Sequence, residues 1–300
     1  MNSVDVVIAS YRRPTMLVRA LSALEASTDA PDGIIVVARR HDTATIEAAA
    51  GRARIVLVDE PGVVAAMRAG ALASTHDVVA FCDDDAEPSP SWISEIRSAF
   101  NDDHVGGFGG RDVIFDGDVA RPTALTSRVG NVTWWGRLVG NHHCGSGEVR
   151  DVEVLKGVNC AYRRTLIAFP RGLRGDGAEA HFEVSIGYHV RSQGYRLVYD
   201  PAHHVRHRPA RREGVDQREA PSANAIFDSA YNLERSLPRA TQSRRLLYVI
   251  FWGDSACPGI VRLIVGRGAR DLRVRRSPSW RGTFAAWRER HLPLTMQEVA

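Results

Sequence analysis

A chain of 300 residues, 44% of them hydrophobic, suffices for one large domain or two fused halves with a continuous core, which excludes intrinsic disorder. The formal charge of +4 is unevenly spread, since residues 201–300 carry eighteen Arg against nine acidic side chains, a net of +9 that leaves −5 for residues 1–200. No aromatic-studded basic stripe accompanies that charge, so no nucleic-acid partner is expected; Cys82, Cys144, Cys160 and Cys257 are too scattered for a disulfide framework or a structural zinc site and suit a reducing cytoplasm.

The chain opens directly on a strand pattern, with no charged leader and apolar h-region, so secretion is not expected. β-branched runs predict strands at Val4–Ala9, Ile34–Ala38, Ile55–Val58 and Val78–Phe81, and helical patterns fall between them at Pro14–Ala26, Ala44–Ala50 and Val63–Ala73. That alternation implies a mostly parallel, Rossmann-like sheet flanked by helices, with ligands beyond the carboxyl ends of the strands. Three such ends are chemically distinctive: Ser10-Tyr11-Arg12-Arg13, Arg39-Arg40-His41-Asp42 and Asp83-Asp84-Asp85. Three consecutive carboxylates are costly together unless a cation sits among them, so a divalent metal and a charged ligand are expected there. Neither GxGxxG after the first strand nor GxxxxGK[ST] is present, which disfavours a dinucleotide fold and a P-loop.

Gly106-Gly107-Phe108-Gly109-Gly110-Arg111-Asp112 reads as a strand closely approached by another backbone. A long irregular insert follows, Val129 to Arg150, with Trp134-Trp135 and Asn141-His142-His143-Cys144; loops of that length are usually functional. Its tryptophans offer flat apolar faces to a ligand and are read as a lid, the alternative being core packing beneath the loop. Phe182, Ile186 and Val190 mark a helix with Glu183 in its first turn, where the helix dipole would hold the acid ionised. Further on, Ile226, Ala230, Leu233 and Leu237 form one amphipathic stripe, and Leu246, Leu247, Ile250 and Phe251 begin a second. Leu246 to Val265 is interrupted by Asp254, Pro258 and Arg262 and does not read as a bilayer span. Arg-rich faces beside Trp252, Trp280 and Trp287 suit an anionic membrane surface, packing on the main domain, or a homodimer; the pattern leaves these open.

The run Val4 to Pro14, then Pro61-Gly62 leading to Ala69-Gly70, then Phe81-Cys82-Asp83-Asp84-Asp85 resembles the nucleotide-sugar half of family 2 glycosyltransferases with the GT-A fold. Lys156-Gly157-Val158-Asn159-Cys160-Ala161-Tyr162 resembles the acceptor-side signature, and Gly194 through His207 resembles the strand and metal histidine that close the catalytic half. The resemblance implies a GT-A-like α/β fold with a helical C-terminal extension, divided as 1–115 (donor half), 116–215 (acceptor and catalytic half) and 216–300. It implies a metal-dependent inverting transfer from a nucleoside diphosphate sugar to a saccharide or lipid-linked saccharide in cell-surface polysaccharide or glycoconjugate synthesis, in the cytoplasm or at the inner membrane face.

By the same resemblance Asp83 faces the donor ribose, Asp85 and His207 hold Mn²⁺ or Mg²⁺, and Ala9, Ser10, Tyr11, Arg13, Arg39, Arg68 and Asp84 line the donor. Trp134, Trp135, His143, Lys156 and Asn159 are placed at the acceptor, and Glu183 occupies the position of the catalytic base. The family's usual base is Asp preceded by another acid, whereas His181-Phe182 precedes Glu183 here, which leaves Glu179 and Asp176 as alternatives. Arg39 stands where relatives often carry a base-binding Asp, so UDP, GDP and dTDP all remain open. The rival readings are a sugar-1-phosphate nucleotidyltransferase, whose Gly-rich loop Ser10–Pro14 lacks, and a non-catalytic sugar-nucleotide-binding protein.

Overall fold

The computed structural model describes residues 2–175, 179–210, 221–254, 257–265 and 269–299. The amino-terminal alternation is realised as β1 (Val4–Ser10), α1 (Pro14–Glu25), β2 (Gly33–Arg39), α2 (Thr43–Ala49), β3 (Arg54–Val58), α3 (Val63–Ala73) and β4 (Val78–Cys82). Then come β5 (Ala86–Pro88), α4 (Trp92–Ala99), β6 (Val105–Asp116), β7 (Val119–Ala120), β8 (Asn131–Val132), β9 (Leu138–Val139), β10 (Arg150–Val152), β11 (Asn159–Arg163) and β12 (Ala168–Arg171). The chain continues through α5 (Phe182–Ser192), β13 (Arg196–His207), α6 (Ala223–Ser236), α7 (Arg239–Phe251), α8 (Ile260–Val265), α9 (Ala269–Arg288) and β14 (Thr295–Glu298).

Eight strands of the main sheet run in the order β10-β13-β6-β11-β4-β1-β2-β3, with β5 added to β13 and β7 to β6. Strands β4, β1, β2 and β3 are mutually parallel, and β11 enters antiparallel between β4 and β6. Alternation sends Val6 and Ile8 into one apolar layer with Leu17, Leu21, Trp92 and Ile96, and Val7 into the other with Met67, Phe81, Phe169 and Phe182. Strand order reverses between β1 and β4, so the crevice at their carboxyl ends is a ligand position built by topology.

The glycines of β6 are explained by what crosses them: a Cβ at Gly110 would stand 1.7 Å from the His203 carbonyl oxygen, and one at Gly107 would meet the Tyr162 ring. Beyond β13, α6 packs on α9, and β14 returns to pair antiparallel with β12, so the C-terminal region ends in a strand that the helical pattern did not foresee. Residues Leu246 to Phe251 end α7 rather than begin a helix, and α7 turns Thr241, Gln242, Arg245 and Val249 inward. Leu247 and Phe251 are left exposed. Among the described residues no helix is long and apolar enough to cross a membrane, and all four cysteines are buried free thiols.

Candidate active site

β1 and β4 lie side by side in parallel, which brings the chain after Ser10 against the chain after Cys82. Ser10 Oγ donates to Asp84 Oδ2 at 2.8 Å, and Arg13 Nη1 lies 3.0 Å from Asp84 Oδ1 and 3.8 Å from Asp85 Oδ2. Burial dominates at Asp84 and, although Arg13 opposes it, pushes the carboxyl up to about 6. Burial alone would weaken the Arg13 charge, but Asp84, Asp85 and Asp83 together raise its pKa.

His207 reaches this cluster because β5 pairs antiparallel with the end of β13, setting His207 opposite Ala86. The Arg208 and Ala210 amides then donate to the Asp85 carbonyl and to Asp85 Oδ2, both at 2.8 Å. Ligand-capable atoms of Asp83, Asp85 and His207 all fall within 4.8 Å of one another. Asp85 Oδ1 and His207 Nε2 face each other at 3.3 Å, both buried and neither making a well-formed hydrogen bond. A pair of orphaned buried atoms of this kind, one carboxylate oxygen and one imidazole nitrogen, fits a divalent cation between them, and the mixed donor set suits Mn²⁺ or Mg²⁺.

Behind His207 stands Asp112 on β6, fully buried, with Oδ2 3.2 Å from His207 Nδ1 and also accepting from Lys156. Burial would raise Asp112, but His207 and Lys156 draw it down to about 2. His207 itself is penalised by burial and yet lifted to about 9 by Asp112 and Asp85. A carboxylate that fixes one imidazole nitrogen so that the other faces a metal is a standard supporting arrangement. The sequence reading had no role for Asp112; its one signal was an Arg-Asp pair within a glycine-rich, largely apolar strand.

Glu183 lies in the first turn of α5, half-buried beside Gly157. The helix start does not lower its pKa: burial raises it, its own amide, the Gly157 amide and Lys156 only partly offset that, and Asp83 adds to it. His181, in a left-handed backbone conformation, precedes the helix with its ring nitrogen 2.9 Å from Ser229 Oγ of α6, which anchors the turn bearing Glu183. Glu179 instead accepts from the Val64 amide at the start of α3, and Asp176 lies outside the described residues.

Of the other donor-side residues, Ala9 and Ser10 end β1, and the half-exposed Tyr11 ring has the guanidinium carbons of Arg12 and Arg39 5.1 and 5.9 Å from its centre. Arg68 is turned away to Glu60 at 3.1 Å and to Gln297 of β14. On the acceptor side, Asn159 is 1% exposed and bonded throughout: its Oδ1 accepts from Trp92 Nε1 at 2.8 Å, and its amide donates to the carbonyls of Arg111 and His203. It therefore ties four elements together and has no face for an acceptor, a correction to the sequence reading. His143 is half-buried in the short turn after β9, where burial lowers its pKa and Asp112 partly opposes that. Trp134 and Trp135 do not sit with it; they form the tip of the β8–β9 hairpin, which docks on α7 through Arg245 Nη1 donating to the Gly136 carbonyl.

The family model described as "Glycosyl transferase family 2" matches residues 5–167, more than half of the chain. No curated protein matches. Among solved structures, GalNAc-T7 with UDP, GalNAc and Mn²⁺ aligns over 98% of this chain at 15% identity and a TM-score of 0.61, with this chain spanning 58% of that one. A mannosyltransferase from Pyrobaculum calidifontis in complex with GDP-Man and Mn²⁺ aligns over 97% of this chain and 87% of its own, at 14% identity and a TM-score of 0.53. Glucosyl-3-phosphoglycerate synthase from Mycobacterium tuberculosis, with Mn²⁺, UDP-glucose and phosphoglyceric acid, aligns over 77% and 80% at 17% identity and a TM-score of 0.50. At these identities the likeness establishes a GT-A fold.

Proposed function

This chain belongs to glycosyl transferase family 2, and we propose that it is a metal-dependent inverting enzyme that moves a sugar from a nucleoside diphosphate donor to a hydroxyl of a saccharide or lipid-linked saccharide. The observation that carries the proposal is the convergence of Asp83, Asp85 and His207 at the β1/β4 crevice, with Glu183 within electrostatic reach of Asp83. Mn²⁺ in the three structural relatives supports the metal, while their UDP and GDP ligands leave the nucleotide of this chain unassigned.

Asp85 and His207, with Asp83, would hold Mn²⁺ or Mg²⁺, which when bound supplies positive charge against the departing diphosphate. Arg13 and Ser10 fix the aspartate run so that its carboxylates keep one geometry. Glu183 takes the proton of the acceptor hydroxyl as that oxygen bonds to the anomeric carbon and the carbon–phosphate oxygen bond breaks on the opposite face. A carboxylate raised above its ordinary pKa by burial is the stronger base for this task. Lys156 pairs with Asp112, and its charge partly offsets the burial of Glu183. Residues 1–115 serve the donor, 116–215 the acceptor and catalysis, and 216–300 buttress them through β14 and α6. The product would enter cell-surface polysaccharide or glycoconjugate synthesis at the cytoplasmic membrane face.

A screen of UDP-, GDP- and dTDP-sugars with Mn²⁺, Mg²⁺ or EDTA tests this, using the parent and Glu183→Gln. The expected result is transfer or slow hydrolysis of one donor, cut by about 10²–10⁴ in the variant with donor binding kept. Equal turnover in the variant would remove Glu183 from the base role, and binding of every donor without turnover would leave a binding protein.

A further inference from the structure

Every exposed Trp and Phe among the described residues lies on one surface made from the β8–β9 hairpin, α7 and α8. Trp134 (61% exposed) and Trp135 crown the hairpin, Phe251 (60%), Leu247 and Trp252 line the free side of α7, and Ile264 (78%) lies on α8. These segments are joined. Arg244 covers the Trp134 ring at 4.8 Å and stands three and seven residues before Leu247 and Phe251, hence on their stripe of the helix. Gly259, just before α8, donates its amide to the Trp252 carbonyl. The hairpin is also mounted firmly, for Val132 and Leu138 pack on Val184, Leu233 and Leu237 while Arg245 grips its tip.

The charges carried by these segments themselves have one sign, and Glu153, which accepts from the Val132 amide at the base of the hairpin, is already paired with Arg191 at 2.9 Å. Arg137, Arg244 and Arg262 surround the surface, no acid occurs in residues 131–139, and the sole acid of residues 239–265, Asp254, is buried with Arg245 at 3.9 Å. A two-fold contact with a second copy would set Arg against Arg with no acid to answer them. Anionic headgroups would answer them, with aromatic and branched side chains entering the headgroup–acyl boundary.

We propose that the β8–β9 hairpin, α7 and α8 form a peripheral docking surface for an anionic lipid bilayer. The inference rests on exposure, packing and charge and does not depend on the transferase reading. It also moves the contact from the faces beside Trp280 and Trp287, which are half-buried, and gives Trp134 and Trp135 a lipid rather than a sugar to meet.

The test is flotation of the full chain with phosphatidylcholine vesicles, with or without about one-third phosphatidylglycerol. The parent is expected to float with the anionic vesicles alone and to be released by high salt. The double variant Leu247→Asp with Phe251→Asp, or separately Ile264→Asp, should lower vesicle partition at least tenfold, and Arg244→Gln and Arg262→Gln should each lower it about fivefold. Circular dichroism and metal-dependent donor binding should stay at parent values, because Leu247, Phe251 and Ile264 are exposed, Arg244 and Arg262 are half-exposed, and all five lie outside the site. Failure of the parent to float, or flotation of all variants like the parent, overturns the inference. So does a parent dimer that the Asp variants dissolve without any vesicle binding, or binding to polyglutamate but not to vesicles. Vesicle binding without donor turnover would sink the transferase reading and leave this one standing.

Discussion

His207 is held between two carboxylates, Asp85 and Asp112, and Lys156 pairs with Asp112 on its far side. A metal at Nε2 needs that nitrogen unprotonated, whereas the apo imidazole is lifted to about 9. Mn²⁺ must therefore displace a proton below pH 9, so its affinity should rise with pH toward that value and flatten above it; calorimetry in buffers of different ionisation enthalpy would count the released proton. Asp112→Asn removes the group that aims the ring, and a loss of about 10–100-fold in Mn²⁺ affinity is expected, read directly by the paramagnetic signal of free Mn²⁺. Asn159→Ala should behave differently. It strands the buried Trp92 indole N–H and should cost about 1–3 kcal/mol in chemical denaturation with acceptor KM unmoved; a raised KM at unchanged stability would restore an acceptor role. The aspartate run was legible in the sequence because three adjacent acids at the end of an apolar strand repel one another unless a cation sits among them. The Asp112–His207 pairing was not, because it exists only through the β6–β13 register, where a shift at Asp200/His204 sets which residues meet.

At the level of elements, the parallel wing could be read from β-branched runs to within a residue or two, since β1, β2 and β4 are largely buried, β3 is a short β-branched edge, and the spacing of their helices leaves few other topologies. α7 resisted for a physical reason. Its apolar pattern left core, membrane and dimer contacts open, and a polar pair decides between them: Glu234 of α6 is fully buried, and Arg245 turns in to stand 3.3 Å from it, rotating Leu247 and Phe251 outward. Burial raises Glu234 to about 7 despite Arg245. A carboxyl raised in the folded state binds more protons folded than unfolded between its ordinary pKa and 7, so this group lowers stability as pH rises through that window. Denaturant unfolding should show a fall of up to about 3 kcal/mol from pH 5 to pH 8 traceable to this residue. Glu234→Gln, which mimics the protonated form, should flatten that slope; an unchanged slope would assign it elsewhere.

Across the whole molecule, one reversal of strand order between β1 and β4 opens the crevice, and one late strand, β13, carries a histidine into it from more than 120 residues away in sequence. The C-terminal helices are tied back by β14 on β12 and by His181 on α6, so changes at the site and in the C-terminal region are structurally linked. The central claim is that the Asp83, Asp85 and His207 cluster binds a divalent cation on which the donor diphosphate depends. Its most direct test is calorimetric titration of nucleoside diphosphate sugars into the parent and Asp85→Asn, each with Mn²⁺ and with EDTA. Binding of one donor by the parent with Mn²⁺ only, and none by Asp85→Asn under either condition, is the expected result. Equal binding in EDTA, or Mn²⁺-dependent binding retained by Asp85→Asn, would contradict it.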